Sequence, residues 1–129
     1  MRQPDAKVVL ITGASAGLGR ASALHLAQRG CRVFGASRRP PAEPGPVTFI
    51  EMDVHDDASV QRGVQEVQRQ AGRIDVAVNN AGFGFGGSIE ETSVAEVQAQ
   101  FETNFFGMLR VCQAVLPGMR ARRSGLIVN

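Results

Sequence analysis

Glycines at 13, 17 and 19, in the run Thr12-Gly13-Ala14-Ser15-Ala16-Gly17-Leu18-Gly19-Arg20, are the residues of this chain best suited to chemistry on a phosphate. They let the backbone turn tightly and keep side chains away from an incoming ligand, so that main-chain N–H groups can approach it. Val8-Val9-Leu10-Ile11 reads as a strand apolar on both faces, and a helical pattern follows the glycines directly. The unpaired N–H groups and positive dipole end of such a helix point to where a pyrophosphate would sit. The spacing is GxxxGxG, not GxGxxG, and an ordinary glycine-rich turn is the competing reading.

Three further groups of residues bear on the same chemistry. A dinucleotide site of this kind carries an acid about 20 residues past the glycines when it holds the free ribose hydroxyls of NAD. Here Ser37, Arg38 and Arg39 occupy that place. A guanidinium grips a 2′-phosphate through charge-assisted bonds, whereas a carboxylate repels it, so these residues lean to NADP(H) over NAD(H). A solvated Arg pair at a loop start is the alternative. Asp53 closes a third apolar run, placed either to reach a nucleotide or to close a turn. Asn79-Asn80-Ala81-Gly82, followed by Phe83-Gly84-Phe85-Gly86-Gly87, is a second segment in which backbone can come close to a ligand.

The elements that must position these residues are legible from periodicity. Leu18, Ala21, Leu24 and Ala27 mark a helix closed by Gly30, Cys31 to Ser37 a second strand, and Pro40 to Pro46 a loop. Val47 to Asp53 reads as a third strand. Asp56 or Asp57 caps a helix carrying Val60, Val64, Val67 and Ala71, which Gly72 ends. Ile74 to Val78 is a fourth strand, Ser93 and Glu96 form a capping box, and Leu126 to Asn129 begins a fifth strand. Between them, Phe101, Phe105, Met108, Cys112, Val115 and Met119 predict one side of a long helix over 101–122, which Ser124-Gly125 stops. Phe106, Leu109 and Leu116 widen that side beyond a single stripe, which calls for a second partner such as another subunit, and hence a homo-oligomer. Asn104 and Gly107 are poor helix-interior residues, there for a local functional reason or merely tolerated.

Composition narrows the class. The 129 residues are one domain's worth of chain, with 43% hydrophobic and 20% charged residues and a net charge of +2. Neither a nucleic-acid footprint nor a bilayer-spanning run is present, and a cytoplasmic location is the default expectation. Cys31 and Cys112 lack metal or disulfide spacing and read as packing residues; no metal site is expected. His25 reads as a helix-surface or packing residue and His55 as a loop residue near the nucleotide rim.

Together these pieces resemble the short-chain dehydrogenase/reductase family over essentially the whole chain. Thr12 to Gly19 is similar to its TGxxxGxG cofactor loop, Asp53-Val54 to its adenine-side acid, Asn79-Asn80-Ala81-Gly82 to its NNAG segment, and Phe34 to Pro40 to NADP-preferring members. Parts of the chain look like the branch acting on retinoids, steroids and related lipophilic alcohols. The resemblance implies an α/β doubly wound Rossmann fold over residues 1–129, incomplete at the C-terminus, with a parallel sheet of order 3-2-1-4-5 and helices on both faces. It places the cofactor against Gly13, Ser15, Ala16, Gly17, Leu18, Gly19, Ser37, Arg38, Arg39, Asp53, Val54, Asn80, Ala81 and Gly82. It also makes Asn104 the one member present of a catalytic Asn-Ser-Tyr-Lys set. The family's general acid/base is a Tyr with a Lys four residues on, and this sequence has no Tyr and no Lys after Lys7. The chain as given is therefore expected to be the N-terminal part of an NADP-dependent oxidoreductase acting on a small alcohol or carbonyl substrate, catalytically incomplete by itself. A non-catalytic NADP-binding or dimerising module is the alternative.

Overall fold

The computed structural model describes residues 6–129. Strand β1 (Val8–Thr12) is buried along its whole length, with neighbours on both sides: β2 (Arg32–Ser37) and β4 (Val76–Val78). Outside these lie β3 (Thr48–Glu51) and β5 (Leu126–Val128), giving a parallel sheet of order β3-β2-β1-β4-β5. Every adjacent pair is parallel, so each connection must carry the chain back to the starting end of the sheet; a loop over 38–47 does this between β2 and β3, and the helices α1 (Gly17–Gln28), α2 (Asp57–Ala71), α3 (Val94–Phe101) and α4 (Met108–Arg122) supply the other crossovers.

Alternation along β1 sorts the core into two layers. Val8 and Leu10 pack with Phe34, Ile50, Val64, Val67, Val111 and Val115 under α2 and α4. Val9 and Ile11 pack with Ala14, Ala23, Val33 and Val47 under α1 on the opposite face. Asp56 caps α2 by accepting from the Ala58 amide at 3.0 Å, and Gly72, at φ 78°, ends it in the left-handed region. The expected Ser93/Glu96 capping box is present at the start of α3. At its end α4 turns through Arg123, at φ 51°, so the left-handed residue is an arginine and not the glycine two positions on.

The long helix departs from its expected phase. A π-helical segment, Glu102–Gly107, joins α3 to α4. Its wider turn rotates the following residues relative to an uninterrupted α-helix. Thr103, Gly107, Val111, Ala114, Val115 and Met119 therefore face inward. Of the predicted stripe only Val115 and Met119 are buried; Met108 and Cys112 are half-buried, and Phe101 and Phe105 lie on the outside together with Phe106. At Gly107 the inward position is small for a steric reason. A Cβ on Gly107 would stand 2.8 Å from Val54 Cγ2.

Candidate functional site

The carboxyl ends of β1, β2, β3 and β4 open into a cavity of about 430 Å³. Ligands of open parallel sheets bind at that end, where the order of strands reverses between β1 and its two neighbours. Thr12, Gly13 and Ser15 form its floor, Ser37 and Arg38 one wall, Asp53, Val54 and His55 another, and Ala81, Gly82 and Phe83 the side nearest β4. Ser15, Arg38 and Arg39 border an adjoining open recess of about 550 Å³.

The floor is built by one threonine. Thr12, 2% exposed, accepts through Oγ1 from the amides of Asn80 at 3.1 Å and Ala81 at 3.0 Å. Asn80 answers by donating through Nδ2 to the carbonyls of Thr12 and Gly13, both at 3.1 Å. These bonds hold the loop after β1 against the loop after β4. The contact is so close that a Cβ on Gly13, whose φ is +63°, would stand 2.9 Å from Ala81 Cα. Gly19 is buried, and a Cβ there would strike the Gly13 carbonyl and the Asn80 amide, so its part is to pack α1 onto the strand. Gly17, at φ +56°, has open space where a side chain would go.

Helix α1 begins without a side-chain cap and without an acid in its first turn; its N-cap residue, Ala16, has no side-chain oxygen to offer. Such an end presents free N–H groups to an anion. On the wall formed by β2, Ser37 is buried and its Oγ has no hydrogen-bond partner, an unusual state for a hydroxyl that borders a cavity of this size. With the positive Arg38 beside it and the Asp53 carboxylate across the cavity, the donor set suits a ribose phosphate with its sugar and base.

The predicted residues thus divide by role. Gly13, Ser15, Ser37, Arg38, Asp53, Val54, Ala81 and Gly82 line the main cavity, and Arg39 lines the adjoining recess. Ala16, Gly17 and Leu18 lie exposed at the start of α1, and Asn80 turns its amide into the protein. Asp53 lines the cavity and also accepts from the His55 amide at 3.0 Å, closing the turn as expected. Asn104 lies outside the cavity lining; its side chain spans the Phe83 peptide groups, accepting from Phe83 N at 3.0 Å and donating to Phe83 O at 2.7 Å. Thr12 and Thr103 are cavity residues that the pattern of types did not single out. The signal for Thr12 was its position, a polar β-branched residue ending an otherwise apolar strand.

Charge around the site is largely fixed in pairs. Arg110 reaches Glu102 and, at 2.8 Å, Asp57, and donates to the Val54 carbonyl at 3.1 Å. Burial works to lower the Arg110 pKa, but the two carboxylates outweigh it and hold the guanidinium above its ordinary value. The basic cluster at the end of α4 has a structural use too, since Arg122 donates to the Ile74 carbonyl at 2.7 Å. Among the described residues no helix is long and apolar enough to cross a membrane, and no group of His, Cys, Asp and Glu gathers as metal ligands.

Comparison with known proteins agrees with this geometry. The family model of the short chain dehydrogenases matches residues 7–129. A 3-ketodihydrosphingosine reductase from Bacteroides thetaiotaomicron is 44% identical over 123 residues, covering 95% of this chain and 46% of that protein. The crystal structure of a short-chain dehydrogenase from Streptomyces avermitilis superposes with a TM-score of 0.89 at 41% identity, covering 97% of this chain and 49% of the other. The structure of ElxO with NADP bound superposes at 0.88 with 29% identity, over 96% and 54% of the two chains. The chain thus spans about half the length of these relatives.

Proposed function

The chain belongs to the short-chain dehydrogenase family, and on that premise we propose that it is the cofactor-binding part of an NADP-dependent member, whose reaction passes hydride between NADP(H) and a small alcohol or carbonyl substrate. The observation that carries this reading is the end of β2. A partnerless Ser37 hydroxyl and the Arg38 guanidinium border the cavity where an NAD-selective site would present a carboxylate. The NADP bound to the ElxO neighbour supports the same preference.

In this reading the uncapped start of α1 and the backbone of residues 13–19 receive the pyrophosphate. Ser37, Arg38 and Arg39 hold the 2′-phosphate, and Asp53 and Val54 flank the adenine. Asn80, Ala81 and Gly82 shape the side toward the nicotinamide, the group that supplies or accepts hydride when the cofactor is bound. Phe83, at the edge of the cavity, gives the substrate an apolar neighbour. Asn104 fixes that edge by holding both peptide groups of Phe83. The sequence contains no Tyr, and its one lysine is Lys7, so these 129 residues by themselves lack the family's proton donor and bind cofactor without turning it over. A cytoplasmic location belongs to the same proposal.

A second reading, a non-catalytic or dimerising module, draws on the outward apolar face of Phe101, Phe105, Phe106, Leu109 and Leu116, all at least 40% exposed. Titration with NADPH and with NADH, followed by the fluorescence of the reduced nicotinamide, tests the primary assignment. Saturable binding of both, tighter for NADPH, is expected; equal affinities would remove the NADP assignment, and absence of binding would remove the cofactor site.

A further inference from the structure

Two residues of the cavity, His55 and Thr103, have no part in the cofactor contacts assigned above, yet they join its two sides. His55 follows β3; Thr103 is in the π-helical segment, directly before Asn104. The His55 Nε2 is hydrogen-bonded to the Thr103 Oγ1, while Nδ1 lies 3.5 Å from Asp53 Oδ1. Thr103 Oγ1 is also 3.5 Å from the Ala99 carbonyl.

The same loop also grips the helix beyond Thr103: Val54 packs against Gly107 at the end of the π-helical segment, and its carbonyl accepts from Arg110 in the first turn of α4. On its other side the segment is tied to the loop after β4 through Asn104 and Phe83. Gly82, next to Phe83, is equally constrained, since a Cβ there would stand 2.9 Å from Asn104 Oδ1. A continuous run of contacts therefore leads from Asp53 through His55 and Thr103 to Asn104 and Phe83.

We propose that His55 and Thr103 are positioning residues for Asn104, linking the adenine end of the cofactor site to the edge formed by Phe83. The proposal rests on the cofactor reading above. A ligand that occupies only the adenine end of the site, at Ser37, Arg38, Asp53 and Val54, then alters the Asn104–Phe83 clamp without touching it. The π-helical turn makes this linkage feasible, because it lets the adjacent residues Thr103 and Asn104 serve opposite loops.

Adenosine 2′,5′-bisphosphate, the adenine half of NADP without the nicotinamide, is the probe. With the whole chain isotopically labelled for NMR, saturating probe is expected to shift the Asn104 side-chain amide and the Phe83 main-chain amide. Thr103→Ser, which keeps the hydroxyl, retains the response, and Thr103→Val reduces it at least fivefold. Without ligand, Thr103→Val is expected to speed hydrogen exchange at the Phe83 amide about fivefold, the size of one lost hydrogen bond. Equal probe responses in the wild type and Thr103→Val, or unchanged exchange at Phe83, would overturn the linkage. Failure of the wild type to bind the probe overturns the cofactor reading and the linkage to it, and the ligand-free exchange tells that result apart from a missing His55–Thr103 bridge.

Discussion

Replacing Thr12 with valine removes one oxygen and changes the shape of the side chain hardly at all. That oxygen is the acceptor for two amides, Asn80 N at 3.1 Å and Ala81 N at 3.0 Å, at a residue only 2% exposed. An amide left without a partner costs about 1–3 kcal/mol when buried. Asn80 and Ala81 are half-buried and regain some water, so the lower end applies to each. The expected loss is about 2–3 kcal/mol in total, a large share of the roughly 5–15 kcal/mol that holds a domain of this size together. Urea unfolding measures it: at a slope of about 1–3 kcal/mol/M the midpoint falls by about 0.7–3 M with the slope unchanged. Because Ala81 and Gly82 line the cavity, NADPH affinity falls as well, and Thr12→Ser restores both quantities. A stability loss below about 0.5 kcal/mol, or equal behaviour of the serine and valine variants, would refute the claim that this hydroxyl joins the two loops.

Three other outcomes are expected. Arg38→Ala lowers NADPH affinity about tenfold, the worth of one partly solvated charge-assisted bond, and leaves NADH affinity unchanged; parallel nicotinamide-fluorescence titrations read the ratio. Burial pushes the Asp75 carboxyl up, but the Val8 amide at 2.8 Å and the Arg73 guanidinium at 2.9 Å outweigh it and hold the pKa below its ordinary value. The stability this contributes is therefore complete above the unfolded-state value of about 3.9 and is lost as pH falls through the lower folded value. Urea midpoints between pH 6 and 3 should show a steeper acid loss in the wild type than in Asp75→Asn. Gly107→Ala forces a methyl to within 2.8 Å of Val54 Cγ2; it should cost about 1–3 kcal/mol in the same unfolding assay, and thermal stability equal to wild type would show that Val54 yields freely.

The cavity end of the sheet was legible because its physics is local. Four apolar residues before a glycine loop specify a buried central strand, and the order of strands follows from the parallel crossovers once each element is placed. Ser37, Arg38 and Asp53 could be found by counting along the chain, since each lies at or just past the end of a strand and strand ends meet at one rim. Thr12 escaped because its role depends on a partner 68 residues away, which no local pattern encodes. His55 was legible only as a residue near the rim; its bond to Thr103 spans 48 positions.

The long helix shows why periodicity misled where it did. Counting by threes and fours from Phe101 presumes an unbroken α-helix, and large apolar residues at those positions made a convincing stripe. The chain instead inserts a π-helical turn at Glu102–Gly107; beyond it Val115 and Met119 are buried as expected, whereas Phe101 before it and Phe105 within it are exposed. The residues that look wrong for a helix interior are the ones that explain it. Gly107 admits Val54 at a distance no side chain would allow, Asn104 finds its partners on the Phe83 backbone, and Thr103 meets His55. An α-helix that satisfied propensity at these positions would turn a different face to the cavity. The local irregularity and the candidate site therefore have one cause: side chains on a single helical turn have to engage two loops that leave the sheet at different strands.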